Sequence, residues 1–370
     1  MKNVPNGTRF VPGLMLALVL AVVVSALGSD QNRSSKRETA KGHANSKGSS
    51  LKPEDAATAI LAAFDRYEVV RMDAAHGNKD LDDLILNLVR NPAFPNKVND
   101  IAVECGNALY QSILDRYIAG EDVPLAEVRP VWRNTTQLMC SVSGFYEELF
   151  PLVRRINQRL SPERRLRVLA GDPPLDWSKV KDKSEVMLDR DASAAAVMQK
   201  EVLSKHRKAL MLFGTFHLFH SNNTAPRGLE SAVERYERDY PGVTLVIADQ
   251  IVFDNSTDAA KYNADELEAR MASWPVPSLL QNIEGTWLAD VDKAYFSRMV
   301  DAYLYIGPSD LLLVEPRPAE IFSNKDYMAE LQRRAAIIGD QLTGYQADPG
   351  KLSDQDFTPF LSGNCRTCRR

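Results

Sequence analysis

Tyr67-Glu68-Val69-Val70-Arg71-Met72-Asp73-Ala74-Ala75-His76-Gly77-Asn78 is the stretch from which the fold is read. Its first half is short, β-rich and mostly apolar. Its second half turns abruptly to Asp, Gly and Asn, with a histidine among them. Similar runs recur at Asp100–Cys105, Leu166–Ala170, Ala209–Phe213, Thr244–Ala248 and Leu311–Val314. Short continuous apolar runs are expected of strands buried on both faces. Amphipathic segments separate them: Pro53–Phe64, Leu81–Val89, Ala108–Ala119, Gly144–Arg159, Ala194–Arg207, Leu229–Asp239, Asp292–Tyr303 and Tyr327–Ile338. Strands alternating with helices predict an α/β fold, with a mostly parallel central sheet and helices on both faces. The alternation is interrupted after the second strand, where Cys105 to Leu166 reads as a helical excursion able to wall a pocket. No internal repeat and no Pro/Gly/Ser linker divides residues 51–362, so one domain is expected.

The strands share one property beyond their apolarity: polar residues collect where they end. The first ends in Asp73, His76, Gly77 and Asn78, and the second in Glu104, Gly106 and Asn107. The third ends in Gly171, Asp172 and Asp176, and the fourth in Gly214 and His217, with His220 nearby. Parallel α/β sheets bind ligands outside the carboxyl ends of their strands. His76, Glu104, Asp172 and His217 are therefore the catalytic candidates. Asp73, Asn78, Asn107, Trp132, Arg133 and Asp176 are the substrate-binding ones. The competing reading is structural, because Asp, Asn and Gly at strand ends also form turns and cap helices. On that reading Asn78 or Asp80 caps the Leu81 helix, while Asp172 and Asp176 brace the turn at Pro173-Pro174. His76 and His217 have no such turn role.

Two chemistries suit the cluster. An imidazole oriented by a carboxylate can act as general base toward water or a substrate hydroxyl. Alternatively, His76, Glu104 and His217 supply three N/O ligands to a divalent metal such as zinc, leaving a position for water. Elsewhere, Arg133 reads as a carboxylate clamp or a surface ion pair, and Trp177 as a packing residue. Cys105 is a nucleophile beside His76 or an inert buried thiol, and Cys140 a core thiol. Cys365 and Cys368 suggest a small terminal disulfide. G-x-S-x-G, H-E-x-x-H, P-loop and G-x-G-x-x-G motifs are all missing, which removes support for several large enzyme classes.

Composition sets the setting. The 370 residues carry 45 Lys plus Arg and 49 Asp plus Glu, for a net charge of −4. Residues 1–28 contribute +2, residues 29–50 contribute +3, and residues 51–370 contribute −9. An acidic folded part repels phosphate, so no nucleic-acid partner is expected; a small-molecule substrate or ligand is. Lys2 and Arg9 precede the apolar stretch 10–27 and a small-residue end at Ala26-Leu27-Gly28, the layout of a secretory signal peptide. Export, periplasmic or secreted, is expected. The alternative is an uncleaved anchor through residues 10–27, the one route to membrane contact. Residues 29–50, with His43, are a polar tether, and residues 363–370 form a basic tail.

His-Gly after the first strand, Glu104 at the end of the second and Gly214-x-x-His217 later together resemble the erythromycin-esterase-like and haem-uptake (ChaN, Tiki) superfamily. The similarity is carried by Ala75–Asn78, Val98–Glu104, Leu114–Pro124, Val131–Thr136, Gly171–Trp177 and Arg207–His217. It implies an α/β sheet with a His/Glu site acting on water, or, as in ChaN-like members, haem binding. It makes His76 the base or a ligand, Glu104 the second acid or ligand, and His217 the distal histidine. The family's first motif is usually Gly-Glu-x-His-Gly; here those first two positions are Asp73 and Ala74. The expectation is an exported, hydrolase-like protein, with haem or ligand binding, or a catalytically degenerate scaffold, as alternatives.

Overall fold

The computed structural model describes residues 52–74, 77–214, 217–220, 230–250, 264–283, 286–288, 299–309 and 311–338. His76, the segment 10–27, the tether, Cys365, Cys368 and the basic tail lie outside the described residues. The strands are β1 (Glu54–Asp55), β2 (Val69–Met72), β3 (Asp100–Asn107), β4 (Arg167–Asp172), β5 (Ala209–Leu212), β6 (Thr244–Asp249), β7 (Ser278–Gln281) and β8 (Ala302–Tyr305). They form an eight-stranded sheet in the order β1-β7-β8-β6-β2-β5-β3-β4. From β8 to β4 every pairing is parallel; β7 alone runs the other way, antiparallel to β8 and to the two-residue β1 at the edge. The α/β expectation therefore holds.

Side chains alternate across the sheet, and that alternation divides the core. Ile101, Val103 and Cys105 of β3 join a cluster with α1 (Ala56–Ala63), α2 (Lys79–Arg90), α4 (Gln111–Ala119), α6 (Pro130–Arg133) and α7 (Gly144–Asn157). Ala102 joins the opposite cluster with α8 (Arg190–Val197) and α9 (Ala232–Glu237). Two short helices, α3 (Phe94–Lys97) and α5 (Leu125–Val128), complete the first side, with α4–α7 forming the expected excursion between β3 and β4. Helix α10 (Ala264–Met271) follows β6, and α11 (Ala319–Ser323) and α12 (Lys325–Ile338) follow β8. Those last two pack on a satellite cluster containing Trp177 and Leu175.

Three element expectations are corrected. Leu311–Val314 is not a strand: Leu311 and Leu313 are exposed, and only Val314 bridges to Asn78. An apolar run without a pairing partner does not become sheet. Within the helix expected over Asp292–Tyr303, residues Ala302 and Tyr303 instead open β8, buried on both faces. Strand β7 follows Pro277 and reads Ser-Leu-Leu-Gln, with polar ends and only two apolar residues to mark it.

Candidate functional site

The sheet order places the predicted edge residues on adjacent strands. β2, β5, β3 and β4 are consecutive, so their carboxyl ends form one ledge. Strands lie about 4.8 Å apart, close enough for neighbouring strand-end side chains to meet. Alternation along β3 sends Glu104 to the α8 face, opposite Cys105. There the first turn of α8 delivers Arg190 and Asp191, with Asp189 capping the helix by accepting from the Ala192 amide at 2.9 Å.

Arg190 is the hub. Its Nη2 donates to Glu104 Oε1 at 2.8 Å and its Nε to Asp172 Oδ1 at 2.5 Å. Its Nη1 lies 3.3 Å from His217 Nε2. The Asp172 Oδ2 accepts from the Thr136 amide and hydroxyl at 3.1 and 3.2 Å, so both of its oxygens are committed. Glu104 Oε2 accepts from the Gly214 amide. Burial opposes the charge on Arg190, but the Asp172 and Glu104 carboxylates outweigh it and raise its pKa further.

His217 sits on the rim of this cluster with 21% of its side chain exposed. Its Nδ1 lies 3.0 Å from Asp191 Oδ1, which also accepts the Ala232 amide at 2.8 Å. The carboxylate accepts, so the proton is assigned to Nδ1, leaving Nε2 as the lone-pair nitrogen. That nitrogen is 3.7 Å from Glu104 Oε1. The ring also meets Phe213 edge-on at 6.4 Å between centroids. Phe213 lies across the end of β4, where a Cβ on Gly171 would collide with the tip of its ring and force it to shift.

A second charged group secures the chain just beyond His217. His220 Nδ1 is 2.7 Å from Glu237 Oε2, and its Nε2 is 2.8 Å from Asp301 Oδ2. Burial disfavours the imidazolium, but the Asp301 and Glu237 carboxylates outweigh it and raise the pKa to about 9. In the unfolded chain this histidine titrates near 6.5. The stabilisation is therefore complete below about pH 6.5 and disappears as pH rises through about 9. The melting temperature of the protein should fall across that window, and His220→Gln should flatten the fall. An unchanged slope in the variant would remove His220 from this role.

Several expected substrate-binding residues prove structural. Trp132 is fully buried, edge-on to Phe150 at 5.2 Å. Arg133 pairs with Glu147 and lies over the Tyr327 ring, with only 12% of its side chain exposed, so it is neither a free clamp nor a surface pair. Asn107 spends its amide on the Asn134 and Leu175 carbonyls and accepts from the Leu109 and Leu175 amides. Asn78 caps α2 through the Leu81 amide at 3.0 Å, while Asp80 accepts from the Leu313 amide. Asp176 closes a turn onto Ser178 and pairs with Lys179. Asp73 stands half-buried just past β2, on the ledge. Trp177 packs as expected, donating to the Thr135 carbonyl at 3.0 Å.

Both cysteine readings are overturned. Cys105 and Cys140 form a disulfide, with Cα atoms 5.5 Å apart, so neither sulfur is a thiol or a nucleophile. Asp172, expected to be catalytic, instead positions Arg190. Arg190 and Asp191 were not anticipated, because the helix carrying them was expected to begin at Ala194. One signal was present: an arginine in a helix's first turn opposes the macrodipole and implies a partner elsewhere.

The donor set does not fit a divalent ion between Glu104 and His217. A guanidinium already occupies the space facing Glu104 Oε1 and His217 Nε2, and its permanent charge would repel a cation. Among the described residues no three His, Cys, Asp or Glu side chains converge as metal ligands.

Fold and site together define an α/β protein with a mostly parallel sheet and a buried Arg-carboxylate hub beside a His-Asp pair at its carboxyl edge. No protein-family model matches the chain, and no curated protein matches it. Among solved structures, it is similar to a Bacillus cereus protein at 9% identity and a TM-score of 0.42, over 69% of this chain and 94% of that one.

Proposed function

We propose that the protein is an exported hydrolase that activates water with His217. The observation that carries this reading is the Asp191–His217 contact at 3.0 Å, beside a guanidinium at 3.3 Å from the other ring nitrogen. Asp191 holds the tautomer in which Nε2 can accept a proton. Water attacking an ester carbonyl would displace the Arg190 Nη1 contact from Nε2 and pass its proton there as its oxygen bonds to carbon. Arg190, fixed by Glu104 and Asp172, would lie beside the oxyanion that forms. Collapse would break the bond to the alcohol oxygen, which takes the proton back from His217. Asp191 and Asp172 are positioning residues in this scheme. The buried disulfide supports an oxidising compartment, hence export.

Hydrolysis of p-nitrophenyl butyrate by the purified chain tests the reading. His217→Ala should lower kcat/KM by at least about 100-fold with an unchanged circular dichroism spectrum. Asp191→Asn should lower kcat more than it raises KM. Retained activity in His217→Ala, or no turnover of short-chain esters by the unsubstituted protein, would sink it.

A further inference from the structure

On the Cys105 face of β3, opposite the Arg190 hub, lies a small cavity. Asp82, Tyr146, Glu315, Arg317, Met139 and the Cys105–Cys140 disulfide contribute to its wall. It has room for about one water-sized particle. Its two carboxylates are treated unequally. Glu315 accepts from the Ser143 hydroxyl at 3.1 Å and from the Phe145 amide at the start of α7; burial still raises its pKa, against the Phe145 amide and Arg317, which favour its charge.

Asp82, in the first turn of α2, is 2% exposed, and neither of its oxygens has a hydrogen-bond partner. The Tyr146 hydroxyl, equally buried, faces the Cys105 backbone amide but has no acceptor for its own proton. Native interiors rarely leave such groups unserved. Among the other charged groups near Asp82, Lys79 relieves it only in part. Lys79 on its own helix is bound to Asp83, and Glu148 on α7 and Glu315 add negative charge. Burial, then Glu315, pushes the Asp82 carboxyl well above the usual carboxylate range. A lone water would fill the space but leave the charge uncompensated.

We propose that this cavity is a binding site for one dehydrated alkali cation, K⁺ or Na⁺, held by Asp82, the Tyr146 hydroxyl and Glu315. Three features favour that ligand class. The donors are hard oxygens, which suit alkali ions, whereas the neighbouring disulfide and thioether sulfurs are poor donors to them. The space matches a particle of water size. Ionised together, Asp82 and Glu315 exceed the charge of Arg317 in the same wall, and burial opposes both of them, so a bound cation would compensate what the wall does not. The site lies across β3 from Glu104 and does not depend on the hydrolase reading.

Melting temperatures of the purified full chain at pH 8 test it, in KCl, NaCl and choline chloride at equal ionic strength. A ligand bound only by the folded state raises stability by mass action. The melting temperature should be at least about 3 °C higher in one alkali salt than in choline, saturating with concentration. Asp82→Asn should abolish the difference, and Tyr146→Phe should move its midpoint to higher salt. Identical melting in all three salts would mean that Asp82 simply keeps its proton, and the proposal fails without need of a variant. A salt response that survives in Asp82→Asn also overturns it, by placing the ion elsewhere.

Discussion

Arg190→Met should lower the stability of the fold by about 3–5 kcal/mol at pH 7, read as an earlier midpoint in urea denaturation. The side chains of Glu104 and Asp172 are 4% and 1% exposed, and Arg190 is the cation that faces both. Methionine fills much of the same volume, so the loss reports chiefly the two abandoned carboxylates rather than a void. Arg190→Lys should recover only part of it. An ammonium can approach one carboxylate closely, whereas the guanidinium fork reaches Glu104, Asp172 and the His217 ring at once. The deficit should also depend on pH with a definite sign. Without Arg190 the two carboxylates are easier to protonate in the folded than in the unfolded chain. Stability relative to the unsubstituted protein should therefore improve as pH falls toward 4 and worsen above it. A variant within about 1 kcal/mol of the parent, the scale of an exposed pair, would show that the hub holds nothing together.

The hub also marks how far the amino-acid sequence could be read. Five of the six apolar runs became parallel strands, because strands buried on both faces leave an unbroken apolar signature. β8 escaped because its first two residues fall at the end of the helix expected over Asp292–Tyr303, and β7 because only Leu279 and Leu280 of its four residues are apolar. Glu104 and His217 were found from their positions at strand ends, a rule that depends only on topology. Their partner Arg190 was not, since it arrives from a helix rather than a strand end. Its contacts bridge separations of 86 and 27 residues, to Glu104 and His217. Asn107 and Arg133 misled for the opposite reason. Their residue types suit ligands, but their hydrogen bonds are consumed by the excursion that walls the ledge.

That excursion is tied to the sheet by Cys105 and Cys140, which close a loop of 35 residues. Cross-linking such a loop removes conformational entropy from the unfolded chain, a stabilisation of about 3–4 kcal/mol. Cys105→Ala with Cys140→Ala should therefore shift the urea midpoint by a corresponding amount, and by somewhat more for the small void left behind. The folded protein should resist dithiothreitol, because the two residues are 1% and 0% exposed and no reductant can reach the sulfurs. Reduction should proceed only through unfolding. The reductant-treated protein should consequently match the double variant after passage through denaturant, and the untreated parent without it. The ends of the loop explain why the site shares this dependence. Cys105 follows Glu104 directly, and Thr136, which fixes Asp172, lies just before Cys140. Loss of the cross-link should therefore lower the proposed ester hydrolysis at temperatures well below the melting point. Equal stability of the double variant and the parent would mean that packing of Trp132, Phe145 and Phe150 alone holds the excursion against the sheet.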